Sequence, residues 1–339
     1  MPEVKMSETI ENKSDTLSDG SENPWQKMAD EVLAEKKQIE SLDDTPESME
    51  KSYFETEAEF SPDKIKEFRE KLLNADEEQT KAIIESRIAF LEESCDRVDR
   101  ISPSAFGQHV HRGYIGSNTN VEFQGGIVTM GSHYKLKDTG YLYEAVSFLQ
   151  ENKESVGNGA QLFNSMEGFL NSYFGIPDAA VGDKRMDIIE QKADLLNPEL
   201  SDDEYFDAID KIDISIFKGE HAAQCSERSA MAQNILSLFG YETYYINGAA
   251  SIDGRKEDHA FNAIANNFGQ KNIMDFSITS TMEYRGTNWV VPTPGKITDF
   301  DDFLRGGKTR TSTYEGHIDE DGNVSRKRAR NIEYSVITK

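Results

Sequence analysis

Cysteine is scarce in this sequence, which holds only 2 among 339 residues. Cys95 and Cys225 stand far apart, and neither belongs to a spaced set of cysteines and histidines. A disulfide-stapled scaffold and a structural zinc site are therefore not indicated, because each requires several such residues at set spacings. A chain of this length buries a sizeable core without such staples, and its few thiols fit a reducing compartment.

Long apolar runs and an excess of positive charge are lacking as well. No stretch approaches the roughly 20 apolar residues that a membrane-spanning helix requires. The N-terminal segment MPEVKMSETIENKSDTLSDG has no apolar run of the kind that marks a secretory signal. The formal net charge of -25 repels nucleic acid and anionic membrane surfaces. We therefore expect a cytoplasmic protein that binds neither nucleic acid nor membrane.

The N-terminal part of the chain divides into two regions by composition. Residues 1–52 are acidic and poor in aliphatic side chains, so they are expected to form a disordered tail. Residues 53–100 carry two apolar stripes at helical spacing, which predict a helical hairpin that turns near Asn74–Asp76. Cys95 falls on the second stripe and is expected to be a buried, inert thiol.

The remainder of the chain is expected to hold the main domain and a short C-terminal region. Residues 101–315 are assigned to the domain, and four helical patterns within residues 140–212 predict a helical lobe. Residues 316–339 are expected to be a tail or an edge strand, with a basic cluster suited to docking or to balancing the acidic body. The cluster consists of Arg326, Lys327, Arg328 and Arg330.

Three histidines raise the question of a metal site. His109 and His111 would face the same way on a strand and could share a metal ion, and His133 lies further along. No third ligand follows at a diagnostic spacing, so we predict no metal.

Cys225 opens a stretch with the apolar spacing of a largely buried helix. The apolar positions are Met231, Ile235, Leu238 and Phe239, and Gly240 follows as a C-cap. At a helix N-terminus, unpaired backbone N–H groups and the positive end of the helix dipole stabilise a thiolate. The same N–H groups can receive the oxyanion of a tetrahedral intermediate. We expect the backbone N–H of Cys225 to do so, with Gln224 as a further candidate by adjacency.

His259 and Asp275 supply the other two groups that thiol acyl transfer requires. The segments YETYYINGAA, GRKEDHAFNAIA and QKNIMDFSIT read as three strands, with His259 beginning the second and Asp275 within the third. Antiparallel pairing would bring opposite side chains within about 5 Å. His259 would then act as the base toward Cys225, while Asp275 accepts the other ring N–H.

Three neighbouring residues compete with or oppose this assignment. His221, one turn before Cys225, is an alternative base. Asp258 is an alternative carboxylate, but it adjoins His259 and should point to the opposite face of the strand. Glu227 lies one turn inside the helix and opposes a thiolate, so the cysteine needs a histidine partner.

A cysteine that opens a helix, followed by His-Ala-aromatic on a strand and then Asp, resembles the core of the transglutaminase-like superfamily. The matching residues are Cys225-Ser226-Glu227, His259-Ala260-Phe261 and Met274-Asp275-Phe276-Ser277. Two positions depart from the family's pattern, since Phe261 stands where tryptophan is common and Phe276 where proline often follows the aspartate. Neither departure removes a catalytic group.

The resemblance implies an α+β fold of papain type. The catalytic Cys225 would begin a buried helix packed on an antiparallel sheet, with the N-terminal helical region as an addition. It also implies acyl transfer on a protein or peptide substrate through a thioester, without a metal or organic cofactor. Cys225 would attack the carbonyl, His259 would protonate the departing amine, and Asp275 would hold the imidazole tautomer.

Two enzyme outcomes and two non-enzymatic roles remain open, and the least favoured is a structural scaffold organised by the helices and the acidic tail, which would leave the spacing of the three residues to coincidence. Hydrolysis by a protease, peptidase or deamidase is favoured, because water is always available to resolve the thioester. Cross-linking by a protein-glutamine transamidase is the alternative, since an amine can take the place of water. A catalytically silent interaction module would keep the fold alone. The sequence does not indicate the substrate or the oligomeric state.

Overall fold

Helices occupy the first half of the described chain and strands most of the second. The computed structural model describes residues 62–101, 110–116, 120–121, 134–135, 139–153, 159–176, 181–196, 213–252, 254–265, 270–277, 288–292, 295–318 and 324–336. The helices are α1 (Pro62–Asn74), α2 (Glu77–Ile101), α3 (Gly140–Glu151), α4 (Gly159–Phe174), α5 (Val181–Leu196), α6 (Cys225–Leu238) and α7 (Phe300–Leu304). None of these helices is both long and apolar enough to cross a bilayer.

The three described strands before α6 have two or three residues each, whereas four of the seven after it have ten or more. They are β1 (Val110–Arg112), β2 (Asn120–Val121), β3 (Tyr134–Lys135), β4 (Thr243–Ile252), β5 (Arg255–Ala265), β6 (Lys271–Met274), β7 (Asn288–Pro292), β8 (Gly295–Lys296), β9 (Lys308–Ile318) and β10 (Val324–Val336). The coarse fold class is therefore α+β, as the sequence predicted.

Eight of these strands form one antiparallel sheet in the described part of the chain. Their order is β7-β9-β10-β4-β5-β6-β8, and β1 also pairs with β4. Along one edge of β4, β1 pairs with residues 244–246 and β10 with residues 248–252. The strands β4 and β5 form a tight hairpin with Ile252 opposite Arg255, in which Gly254 adopts φ 85°. Glycine suits this left-handed conformation because it has no Cβ.

An apolar cluster built mainly from β4, β5 and β10 holds the sheet to the short helix α7. Partly buried Phe300 and Leu304 of α7 pack against this cluster. Its members are Val110, Tyr244, Ile246, Ala250, Phe261, Ala263, Ile273, Ile297, Phe303, Ile332, Tyr334 and Val336. Burying such side chains contributes roughly 1.5–3 kcal/mol each before the entropy of ordering the chain is subtracted.

The C-terminal region is an integral part of the sheet. We expected residues 316–339 to be a tail or an edge strand, and this prediction is wrong. The strand β10 lies in the interior of the sheet, between β9 and β4, and β9 itself crosses the expected boundary at residue 315. The basic residues interrupted the apolar alternation that would have marked an interior strand. Arg326, Lys327 and Arg328 lie on the half of β10 that pairs only with β9.

The N-terminal helices α1 and α2 contact the C-terminal end of α6. The guanidinium of Arg69 donates from Nε to the carbonyl of Phe239 at 2.8 Å and from Nη2 to that of Gly240 at 3.2 Å. It also lies 3.5 Å from the ring centroid of Tyr241. A cation at the end of a helix satisfies carbonyls that have no intrahelical partner and offsets the negative end of the dipole. The hairpin is therefore anchored to the helix that begins with Cys225.

Several sequence predictions lie outside the described residues. They concern the acidic tail at 1–52, the first residues of the hairpin at 53–61, the last helix of the expected lobe at 201–212, and the histidines at 109 and 133. The side chain of Cys95 also lies outside the described part of the chain.

Candidate active site

Cys225 is the first residue of α6, and 8% of its surface is exposed. Gln224 is the N-cap, with an extended backbone, and its N–H donates to Glu227 Oε2 at 2.8 Å. Every residue of α6 is buried, whichever way it faces. The stripe of apolar residues predicted from the sequence is therefore only part of the buried surface of this helix. The thiol lies where helix N–H groups have no intrahelical partner.

His259 lies within β5 and faces Asp275, which lies just beyond β6. The strands β5 and β6 pair up to Asn262 opposite Met274, so the residues that follow Met274 run on beside His259. His259 Nε2 is 2.6 Å from Asp275 Oδ2. The sequence placed His259 at the start of its strand and Asp275 inside the next, and both boundaries were wrong. The strand β5 begins earlier because the β4–β5 hairpin is tight, and β6 ends one residue before Asp275.

The carboxylate of Asp275 receives hydrogen bonds at both of its oxygens. Ser277 donates its backbone N–H at 3.0 Å and its Oγ–H at 2.7 Å to Oδ1. Tyr334 donates its hydroxyl to Oδ2 at 2.8 Å, the same oxygen that faces His259. Burial would raise the pKa of Asp275, but the His259 charge and the bonds from His259 and Ser277 outweigh it and lower the pKa below its usual value. The group is therefore held as a carboxylate.

His259 interacts electrostatically with both Asp275 and Cys225. Its Nε2 lies 2.6 Å from Asp275 Oδ2 and 3.1 Å from Ser277 Oγ. Burial would lower the pKa of His259. The charges of Asp275 and Cys225 and the hydrogen bonds to both outweigh burial, so the pKa lies well above its ordinary value. The imidazole is stabilised in its protonated form.

Consecutive polar residues fix α6 to three different parts of the fold. Glu227 Oε1 accepts from Arg185 Nη2 of α5 at 2.9 Å, and both side chains are buried. Arg228 donates to the carbonyl of Gly175 at 2.8 Å, at the end of α4. Ser229 Oγ donates to the carbonyl of Ala260 in β5 at 3.0 Å. These contacts set the position of Cys225, since they hold the turn that immediately follows it.

Glu227 forms an ion pair with Arg185, so its charge is not isolated. Burial would raise the pKa of Glu227, but Arg185, the Gln224 N–H and the Ser226 hydroxyl outweigh burial and lower it. The opposition to a thiolate that the sequence suggested is therefore offset by the buried guanidinium of Arg185.

A further acid, Glu167 on α4, lies within range of the same charges. Burial raises the pKa of Glu167 to about 7; the nearby Arg228 charge opposes this rise and the Asp275 charge adds to it. Arg228 is fully buried, and burial lowers its pKa to about 10 although Glu167 and Glu227 favour its charge. Glu167 thus titrates near neutral pH beside the candidate site.

The alternative residues lie elsewhere or have other contacts. His221 is exposed, adopts φ 58°, and its Nδ1 lies 2.9 Å from the carbonyl oxygen of Ile176. Asp258 is exposed, whereas the adjacent His259 is partly buried. A Cβ placed on Gly182 would lie 3.8 Å from Gln224 Nε2, so the amide of this side chain lies near the start of α5.

No metal-binding cluster of three or more His, Cys, Asp or Glu residues occurs among the described residues. His111 lies on β1, where its ring centroid is 5.9 Å from that of Tyr245. It therefore packs against an aromatic ring of the neighbouring strand.

Sequence reasoning missed Tyr334, Arg185 and Glu167. Tyr334 lies in the region expected to be a tail or edge strand, and the other two lie within predicted helices whose patterns do not distinguish them. Alternation of buried Ile332, Tyr334 and Val336 near the C-terminus was the one available signal, because period-2 burial is typical of a strand.

Comparison of this chain with protein-family models, curated proteins and solved structures gives no match.

Proposed function

We propose that this protein is a cysteine-dependent acyl-transfer enzyme of the transglutaminase-like, papain type. Cys225 is the nucleophile, His259 the acid and base, and Asp275 the group that orients the imidazole. The observation that supports this most is the 2.6 Å contact between the imidazole of His259 and the buried carboxylate of Asp275, together with the electrostatic interaction of the same imidazole with the helix-terminal thiol of Cys225. This is the arrangement that an activated thiol requires. The papain-like assignment of the core is part of the proposal, with α6 bearing the nucleophile against the antiparallel sheet.

In the proposed reaction the proton of the Cys225 thiol passes to His259, which gives a thiolate beside an imidazolium. The sulfur attacks the carbonyl carbon of a peptide or carboxamide, and the C–S bond forms as the carbonyl π electrons move to oxygen. We expect the backbone N–H of Cys225 to receive this oxyanion. The backbone N–H of Gln224 already donates to Glu227, so Gln224 could contribute only its side chain.

Collapse of this intermediate breaks the C–N bond. The imidazolium of His259 gives its proton to the departing amine, and a thioester on Cys225 remains. A water molecule then attacks the thioester while His259 accepts a proton. The acid product leaves, and the thiolate–imidazolium pair is restored. Asp275 keeps the ring in one tautomer throughout.

Hydrolysis is the fate of the thioester that we favour. Water suffices to resolve a thioester, and transamidation requires in addition a site that prefers an amine. A silent interaction module would not need the four hydrogen bonds that hold Asp275 beside His259. A network of this kind holds an imidazole in one orientation, which proton transfer requires, so we favour turnover over binding alone.

The first test measures the reactivity of the thiol, which needs no substrate. We expect Cys225 to react with iodoacetamide at pH 6 at least about tenfold faster than Cys95, because a thiolate is the reactive species. The His259→Asn variant should lose this advantage, and the His221→Asn variant, which removes the alternative base, should keep it. Labelling of each cysteine is quantified by mass spectrometry of its peptide.

Equal and slow labelling of both cysteines in the unaltered protein would contradict the proposal. The proposal would also be contradicted if the His221→Asn variant lost the enhanced reactivity of Cys225 and the His259→Asn variant kept it.

The fate of the thioester is tested by incubating the protein with a glutamine-rich protein and a fluorescent primary amine. Ammonia release or peptide cleavage that depends on Cys225, without incorporation of the amine, supports a hydrolase. Incorporation that depends on Cys225 would instead identify a transamidase.

A further inference from the structure

Tyr334 of β10 reaches the carboxylate that faces His259. Its hydroxyl is 2.8 Å from Asp275 Oδ2, and only 1% of the residue is exposed. The ring centroid of Tyr334 lies 6.3 Å from that of His259 and 4.9 Å from that of Phe261. The tyrosine therefore touches the carboxylate with its polar end and packs beside the imidazole with its ring.

The close approach of β4 and β10 holds this tyrosine in place. Gly248 of β4 lies opposite His259 on one side and opposite Val336 on the other. A Cβ on Gly248 would lie 2.3 Å from the carbonyl oxygen of Ser335 and 3.0 Å from the ring of Phe261. The two strands thus meet at a position where only glycine fits. Tyr334 lies two residues before Val336 on β10, opposite Ala250 of β4.

The tyrosine can only donate to Asp275. Burial and the charge of Asp275 both raise the pKa of Tyr334 well above its ordinary value, so the hydroxyl keeps its proton. A carboxylate has no hydrogen to give in return. Two donors, Tyr334 and His259, therefore share Oδ2, whereas Ser277 supplies both bonds to Oδ1.

We propose that Tyr334 is a positioning residue that acts on His259 through Asp275. It draws part of the negative charge of Oδ2 away from the imidazole and so limits how strongly the carboxylate holds the imidazolium proton. In the proposed reaction this proton must leave for the amine, so a carboxylate that bound it more tightly would slow the step. This role rests on the proposed function, but its effect on His259 is measurable without catalysis.

The test is the Tyr334→Phe variant, which keeps the ring and removes the hydroxyl. Without the second donor, Oδ2 interacts more strongly with the imidazolium, because hydrogen bonds to a carboxylate lower its proton affinity. We expect the pKa of His259 to rise by about half a unit to one unit, as measured by NMR titration of 13C-labelled histidine and assigned with His259→Asn. The other titratable groups acting on this centre, Cys225 and Glu167, are unchanged by the substitution.

A matched control is Tyr244→Phe. Tyr244 lies in the same apolar cluster and donates its hydroxyl to a carboxylate, that of Glu242, at 2.7 Å. This variant should leave the pKa of His259 unchanged. In an Asp275→Asn background, adding Tyr334→Phe should have no further effect, because the carboxylate that links the two residues is gone.

An unchanged pKa of His259 in Tyr334→Phe, or an equal shift in Tyr244→Phe, would overturn the proposal. If Tyr334→Phe does not fold, 3-fluorotyrosine at position 334 provides the second measurement. The fluorinated phenol is a stronger donor, so it should lower the pKa of His259, and a rise or no change would again overturn the proposal. If the shifts occur although Cys225 shows no enhanced alkylation, the inference stands and the proposed enzyme function fails.

Discussion

At the scale of single residues, the candidate site combines groups whose charges are set by one another. Burial alone would lower the pKa of His259 and raise that of Asp275, and each of these shifts is reversed by the partner. Glu167 differs, because burial and Asp275 raise its pKa and the charge of Arg228 does not cancel the rise. Its protonated form is therefore favoured in the folded protein at a pH where the unfolded chain is ionised.

This difference predicts a pH-dependent effect of Glu167→Gln on stability. The folded-state pKa of Glu167 is about 7, above its ordinary value of 4.5. The folded state therefore binds more protons between these values, and the unaltered protein loses stability as the pH rises through this range. Glutamine carries no such cost, so the free energy of unfolding of the variant, relative to the unaltered protein, should rise by roughly 1–3 kcal/mol between pH 5 and pH 8.

Urea denaturation at four pH values across that range measures this difference. Glu227→Gln is the contrasting variant, because the pKa of Glu227 is lowered. Its carboxylate is largely ionised in both states across the range, so that variant should show a nearly constant loss of stability. A constant difference for Glu167→Gln would contradict the assignment of Glu167 as a partly buried acid whose pKa is raised to about 7.

At the scale of elements, the helix α6 is held by polar contacts as much as by apolar packing. A buried helix with polar residues on several faces is stable only when those residues find partners. Glu227, Arg228 and Ser229 meet α5, α4 and β5 in turn. The two contacts with helices connect the helical part of the molecule to the helix that bears Cys225, and the third connects that helix to the sheet.

Breaking the Arg185–Glu227 pair should therefore be costly. The Arg185→Ala substitution leaves the carboxylate of Glu227 buried without its cation, and we expect a loss of about 3–5 kcal/mol in the free energy of unfolding. The control is Lys308→Ala, which removes an ion pair with Glu333 in which the lysine side chain is 64% exposed. A surface pair of this kind contributes about 0–1 kcal/mol. Similar small losses in both variants, measured by urea denaturation, would show that α6 does not depend on the buried pair.

At the scale of the whole molecule, the two ends of the chain differ in what they contribute. The strand β10 joins β9 to β4, and residues 332–336 carry its pairing with β4. The same residues supply Ile332, Tyr334 and Val336 to the apolar cluster. The sequence of residues 1–52 is, by contrast, acidic and poor in apolar groups, and we predict that it adds little to stability.

Two truncations test this contrast. Removal of residues 331–339 deletes the pairing between β10 and β4 and exposes apolar surface, so cooperative thermal unfolding should be lost. Removal of residues 1–52 should change Tm by less than about 2 °C. Calorimetry of the two shortened proteins decides the matter. Cooperative unfolding at an unchanged Tm after the C-terminal truncation would show that β10 is dispensable.

The sequence by itself determined the local features of the candidate site. Apolar spacing and a glycine stop predict the helix that begins at Cys225, and short β-rich segments predict the strands that bear or precede His259 and Asp275. Such features depend on neighbours within one or two turns of the chain, so they leave a periodic signal. The strand boundaries were wrong because they depend on hairpin geometry and on where a partner strand ends.

Only the tertiary structure decided which distant residues complete the site. Tyr334 meets Asp275 across 59 positions of the chain, and Arg185 meets Glu227 across 42. The interior position of β10 likewise depends on which strands lie beside it. The physical reason is that burial and hydrogen bonding are properties of a place in space, and residues far apart in sequence reach the same place only when the chain has folded.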